Sequence, residues 1–122
     1  MNIYDCFMYF DEDLLLDIRL NVLDKYVKKF VITESTYLHS GKPKKLNFDY
    51  KNFSKFKDKI IYIVVDTPPS GIKDINSNDN AEIKNNKILD NSVKRENDQR
   101  KKLANGIKFA EDDDLILGSD LD

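Results

Sequence analysis

The chain has 122 residues, enough for one domain with a hydrophobic core but not for two. Its net charge is −2, from 20 Lys and Arg residues against 22 Asp and Glu residues, so it carries no basic field that would gather nucleic acid. No apolar run approaches the roughly 20 residues of a membrane span and no signal peptide is recognisable, so we expect a protein that is cytoplasmic or peripheral to a membrane.

The first half of the chain combines three strand patterns with one helical pattern. Residues 3–10 form an apolar and aromatic run that predicts a buried strand, in which Asp5 is the exception. Apolar residues then recur at helical spacing, which predicts a helix over residues 12–26. Residues 30–33 and 60–65 are rich in β-branched side chains and predict two further strands.

The second half begins with a change of composition. Asn, Asp, Lys and Ser dominate residues 73–91 without periodicity, which predicts a mobile loop, either an inert insertion, which we favour, or a flexible lid. A helix is predicted over residues 92–109, and the apolar run 115–117 predicts a last strand that is buried on both faces. The order of these elements predicts an α/β domain with a mostly parallel sheet flanked by helices.

Acidic side chains follow the predicted strands at the points where the strands end. Glu34 follows the second strand, Asp66 follows the third, and Asp120 and Asp122 follow the last. Because the carboxyl ends of parallel strands share one edge of a sheet, we expect these side chains at the edge where open α/β sheets bind ligands. The polar start of the last helix should bring Arg100 to the same edge, unless that helix start is only a solvated end.

The pair Asp120 and Asp122 is the strongest local indication of chemistry. Residues two apart in an extended segment point the same way, so these carboxylates can converge on a hard divalent cation, Mg²⁺ or Mn²⁺. Such an ion would bridge a diphosphate and offset its charge as it departs, and Arg100 could add a bidentate contact. The acidic run 112–114 precedes the strand, so we assign it to the opposite edge as a solvated turn.

Other reactive residues offer no second site. His39 is the only histidine and could touch a ligand from its loop, but one histidine without partners is not a metal site. Cys6 is the only cysteine, which excludes an internal disulfide, and its place in a predicted buried strand indicates an inert thiol. The four glycines form no phosphate-binding loop, so a dinucleotide fold of the Rossmann type is unsupported.

Several ordered segments carry a resemblance to a known family. They are residues 3–10, 15–20 with 34–36, 41–44, 65–71, 96–100 and 112–122. Together they resemble glycosyltransferase family 17, the β-1,4-mannosyl-glycoprotein 4-β-N-acetylglucosaminyltransferase family, nearly end to end. The resemblance implies a GT-A-like fold, a divalent cation (Mn or Mg), a nucleotide-sugar donor such as UDP-N-acetylglucosamine, and a glycan or glycoprotein acceptor.

The resemblance also assigns roles to individual residues. It implies that Asp120 and Asp122 bind the metal and that Glu34, Asp66 and Arg100 contact the donor. It further implies that residues 1–122 are the N-terminal, donor-binding part of a single truncated domain, whose catalytic base lies beyond the chain. We therefore expect the complete enzyme to transfer N-acetylglucosamine with inversion, and this chain alone to show no measurable transfer.

Two alternatives to this hypothesis stay open. The chain could be a non-catalytic truncated remnant or interaction module, which would bind the donor weakly or not at all. It could also be an unrelated Mg²⁺-dependent phosphoryl-transfer domain, which would share the acidic strand ends. That reading needs a nucleophilic aspartate or a phosphate-binding loop, and neither is convincing in this sequence.

Overall fold

The computed structural model describes residues 1–121 as an α/β fold. The strands are β1 (Ile3–Met8), β2 (Lys29–Ser35), β3 (Ile60–Val65) and β4 (Leu115–Gly118). The α-helices are α1 (Asp13–Leu23) and α2 (Ala81–Lys102), and short 3₁₀ helices span Tyr50–Lys59 and Leu103–Gly106. All neighbouring strands pair in parallel, which confirms the predicted parallel sheet flanked by helices.

The strand order of the sheet is β3-β2-β1-β4. The chain therefore moves outward from β1 through β2 to β3, and then returns past β1 to add β4 on the other side. In the registers, Asp5 of β1 stands opposite Phe30 of β2 and Leu117 of β4. Ligands of open α/β sheets bind beyond the carboxyl ends of the strands where the order reverses, which here is the junction of β1 and β4.

The two faces of the sheet carry separate cores because side chains alternate along each strand. On one face Phe7 and Phe30 pack with Leu16 and Leu20 of α1, and all four side chains are fully buried. On the other face Tyr4, Cys6 and Val31 pack with Leu103 of the second 3₁₀ helix. Burial of each large apolar side chain stabilises the fold by about 1.5–3 kcal/mol.

The start of α2 differs from the prediction, because residues 81–91 are helical and not a loop. Asn80 caps the helix by accepting a hydrogen bond from the Ile83 amide at 2.8 Å. Asn91, which is buried, exchanges two hydrogen bonds with the backbone of Lys73. Polar contacts anchor this part of α2 in place of an apolar stripe, which is why hydrophobic periodicity missed it. Within residues 1–121, no helix is long and apolar enough to cross a membrane.

Two other elements end before their predicted boundaries, and the last strand differs from the prediction in its burial. β1 ends at Met8 and α1 ends at Leu23, each a few residues before the predicted end. β4 is not buried on both faces, since Leu115, Ile116 and Leu117 are each more than 40 % exposed. Within residues 1–121, β4 is an edge strand that pairs with β1 alone. An apolar run of this length predicts a strand, but it does not reveal what covers that strand.

Gly106 provides a test of the packing between the second 3₁₀ helix and the sheet. A Cβ added at this position would lie 2.3 Å from Cγ1 of Val31, which is fully buried in β2. We expect Gly106→Ala to lower the free energy of unfolding by about 1–3 kcal/mol, as overpacking does, measured by urea denaturation. Gly118→Ala is the matched control because no atom of the described residues lies within 4 Å of its added Cβ. Equal stability of the two variants would contradict this packing.

Candidate functional site

A cavity of about 350 Å³ opens at the carboxyl ends of β1 and β2, beside the segment that follows β4. We call it the switch-point cavity because it lies where the strand order reverses. Its apolar wall comes mainly from the residues after β1 and β2. Its polar lining includes Glu12, Ser35, His39, Lys44, Gln99 and Asp120. A mostly apolar cavity with a few convergent polar groups is the usual form of a small-molecule site.

A buried ion pair lies beneath the segment that follows β4. The Nε and Nη2 atoms of Arg19 each donate to the Asp5 carboxylate at 2.7 Å, and Asp5 is fully buried in β1. The guanidinium also lies 4.5 Å from the centroid of the Phe7 ring. Arg19 is the partner that makes a fully buried carboxylate tolerable at this position in an apolar strand.

The same guanidinium holds the chain that carries the predicted metal residue. Nη1 of Arg19 donates to the backbone carbonyl of Asp120 at 2.8 Å, and Nη2 donates to Oγ of Ser119 at 2.6 Å. We call this arrangement the Asp5–Arg19 clamp. Sequence reasoning missed its role, although the single acidic residue in the first apolar strand was a usable signal that a cation must lie nearby.

Asp120, which is part of the cavity lining, is in contact with Arg100. Nη2 of Arg100 lies 3.4 Å from Oδ1 of Asp120 and 3.4 Å from Oε1 of Glu96. All three side chains are largely exposed, so these ion pairs contribute little to stability. The structure thus places two of the predicted site residues in contact, while Asp122 lies outside the described residues. Their role in donor binding stays a prediction.

Glu34 has a different environment from the one that the sequence predicted. It is fully buried and does not line the cavity. Its carboxylate accepts hydrogen bonds from Lys44 Nζ at 2.8 Å and from the Tyr62 hydroxyl at 2.6 Å. The backbone amides of Asn47 and Phe48 donate to it as well. Burial and the adjacent carboxylate raise the pKa of the Tyr62 hydroxyl. Glu34 therefore anchors the loop of residues 44–48 to the sheet through these hydrogen bonds. It is not part of the cavity lining.

Asp66 is also separated from the cavity. It follows β3, an edge strand on the far side of β2 from β1, and its side chain is exposed. Its Oδ1 atom accepts a hydrogen bond from the Thr36 hydroxyl at 2.8 Å. Glu34 and Asp66 therefore do not line the switch-point cavity, because Glu34 turns into the core and Asp66 follows a strand further along the same edge. Their role in donor binding stays a prediction.

A row of polar side chains forms part of the cavity lining. Nε2 of Gln99 donates to the backbone carbonyl of Thr33 at 3.1 Å, and Oε1 of Gln99 lies 3.1 Å from Nε2 of His39. Gln99 and Ser35 are both buried. The sequence predicted Gln99 on the inward-facing line of its helix, where that line turns polar, and left His39 without partners. The contact between them depends on a loop and a helix that are far apart in the chain.

The thiol of Cys6 plays no part in this site. Cys6 is buried in β1 on the face opposite the Asp5–Arg19 clamp. Burial, with a smaller contribution from the Asp5 carboxylate, raises the pKa of this thiol to about 11. The thiolate is the nucleophilic form, so the side chain is unreactive at neutral pH, as the sequence indicated.

Comparison with known proteins identifies the family. A family model for glycosyltransferase family 17 matches residues 1–122, which is the whole chain. The chain matches no curated protein and no solved structure. The parallel α/β sheet, with its cavity at the reversal of strand order, is consistent with a GT-A-like fold for binding nucleotide sugars. The chain therefore belongs to glycosyltransferase family 17.

Proposed function

We propose that this chain binds the nucleotide-sugar donor of a glycosyltransferase in the switch-point cavity. The observation that carries the proposal is the position of Asp120, a residue of the cavity lining whose exposed carboxylate lies 3.4 Å from Nη2 of Arg100, at the reversal of strand order. The family match supports a sugar-transfer reaction, which requires a nucleotide sugar and an acceptor. We further propose UDP-N-acetylglucosamine as the donor and a glycan or glycoprotein as the acceptor.

A divalent cation, Mn²⁺ or Mg²⁺, is part of this proposal. Within residues 1–121, no group of three or more His, Cys, Asp or Glu side chains is assembled to hold a metal. Mg²⁺, however, is commonly held by one or two carboxylates together with substrate phosphates and water. The exposed carboxylate of Asp120 fits that pattern, and we propose Asp122 as the second ligand. When bound, the cation would supply positive charge against the leaving diphosphate.

The residues of this chain position the donor for transfer. Arg100 provides an exposed guanidinium beside Asp120, from which it could contact the diphosphate in a bidentate manner. The Asp5–Arg19 clamp holds the backbone of Asp120. Little conformational entropy would therefore be lost when the Asp120 carboxylate contacts the donor. With inversion, an acceptor hydroxyl loses its proton to a base and attacks the anomeric carbon from the side opposite the diphosphate.

Nucleotide binding tests this function directly. We expect UDP to bind in the presence of Mn²⁺, and Asp120→Ala to weaken binding by about 10- to 100-fold, because a charged ligand to the cation is lost. Isothermal titration calorimetry measures both affinities.

Asp112→Ala is the matched control for this titration. It removes the same charge from an exposed residue at the other end of β4, so it should leave UDP affinity unchanged. Absence of UDP binding by the unaltered chain, or equal losses in the two variants, would overturn the proposed function.

A further inference from the structure

Helix α1 presents a ridge of apolar side chains on its exposed side. Leu14, Ile18 and Val22 follow one another at intervals of four residues, so they lie on one face of the helix. Their side chains are 74 %, 50 % and 61 % exposed, whereas Leu16 and Leu20 carry the contacts of α1 with the core. We call these three residues the α1 ridge. Contiguous apolar surface of this kind is typical of an interaction site.

The two ends of the α1 ridge carry opposite charges. Asp11 precedes the helix and Lys25 follows it, and both side chains are exposed. The ammonium of Lys25 lies 5.0 Å from the centroid of the Tyr26 ring, which is also exposed. The acidic residue at this end, Asp24, is neutralised by Lys59 at 3.0 Å. The ridge therefore begins at an acidic end and finishes at a basic one.

These residues are arranged symmetrically about Ile18. Leu14 and Val22 lie four positions on either side of it, and Asp11 and Lys25 lie seven positions on either side. When two copies of the helix run antiparallel about a two-fold axis at Ile18, Leu14 of each copy faces Val22 of the other. Asp11 of each copy likewise faces Lys25 of the other, so every such contact is self-complementary and occurs twice.

We propose that the α1 ridge is the interface of a symmetric dimer, in which a second copy of this chain packs its own α1 antiparallel to the first. The apolar centre supplies the attraction, and the charged ends fix the direction. A parallel arrangement would place each charge opposite its own like. A partner with charges of one sign would match only one end of the ridge. The inference is independent of the proposed function, because the ridge is not part of the lining of the switch-point cavity.

Sedimentation equilibrium of the full chain tests the dimer. We expect the weight-average mass to rise from that of one copy towards that of two, with a dissociation constant of about 10–100 µM, since one helical ridge is a small interface. Ile18→Asp places like charges opposite each other at the centre and should weaken association at least about 10-fold. Because Ile18 is exposed, this variant should unfold within about 5 °C of the unaltered chain.

Exchange of the charged ends separates a specific dimer from general apolar association. Asp11→Lys and Lys25→Glu each bring like charges together at two places, and each should weaken the dimer by about 3- to 10-fold. The double variant restores opposite charges at both places in the reverse order. It should recover the dissociation constant of the unaltered chain to within about 3-fold, whereas general apolar association would not depend on this pairing.

Ile83→Asp is the matched control. Ile83 is similarly exposed, but it lies in the first turn of α2 and outside the α1 ridge, so its replacement should leave the dissociation constant unchanged. Weakening by Ile18→Asp alone, together with recovery in the double charge variant, supports the inference. A chain that stays a single copy at about 1 mM, equal losses in Ile18→Asp and Ile83→Asp, or no recovery in the double charge variant would each overturn it.

Discussion

Arg19→Ala is expected to lower the free energy of unfolding by about 3–5 kcal/mol, because removal of one partner of a buried ion pair leaves the other charge uncompensated. Asp5 is fully buried, and both of its oxygens accept hydrogen bonds from Arg19. The same variant loses the contacts to Ser119 and to the backbone of Asp120. Urea denaturation followed by circular dichroism measures the loss of stability.

Two further variants separate the stability effect from the positioning effect. Arg100→Ala removes an exposed guanidinium and should change stability by less than about 1 kcal/mol. The double variant Asp5→Leu with Arg19→Met replaces the ion pair by apolar groups, which should recover much of the stability. It should not recover UDP binding, because the contact from Arg19 to the Asp120 backbone is still lost. An Arg19→Ala variant as stable as the unaltered chain would contradict the clamp.

Glu34→Ala is expected to cause a loss of similar size, about 3–5 kcal/mol in the free energy of unfolding. The substitution leaves Lys44, which is 9 % exposed, without its carboxylate partner. It also removes the acceptor of the Tyr62 hydroxyl and of the Asn47 and Phe48 amides. The loop of residues 44–48 should therefore lose its attachment to the sheet. The lower stability should be measurable by both thermal and urea unfolding.

The same experiment distinguishes a structural role for Glu34 from a role in donor binding. A residue that contacts the donor would, when replaced, weaken UDP binding while leaving stability near that of the unaltered chain. Asp66→Ala is the control, since this exposed side chain makes one hydrogen bond and its loss should change stability by less than about 1 kcal/mol. A stable Glu34→Ala variant that no longer binds UDP would restore the interpretation that the sequence alone suggested.

The local pattern of apolar and polar residues was sufficient to predict much of the fold. The bounds of β3 agree with the apolar run that predicted it, and the spacing of Leu16 and Leu20 identified the buried side of α1. In these elements, the side chains that determine the structure are close together in the sequence. The exposed polar part of α2 lacked such a pattern, so its first turns were read as a loop.

The candidate site was less predictable because its contacts join distant parts of the chain. The sequence indicated that Glu34 ends a strand, but its direction depends on residues 44–48, which fold over it. Arg19 contacts Ser119, which is 100 positions away in the chain, and no local spacing reveals that pairing. Arg100 and Asp120 were predictable because both follow from the topology of parallel strands and crossover helices.

The exposure of β4 has a consequence for the energetics of ligand binding. β4 is the least covered strand, and such peripheral elements open locally at a lower free energy than the core. Opening of β4 would remove Asp120 from the cavity while β1, β2 and β3 stay paired. A donor that binds only the closed form must therefore stabilise β4 by mass action, in proportion to RT ln(1 + [L]/Kd). Nucleotide affinity and the local order of this edge strand are thus two measures of one linked equilibrium.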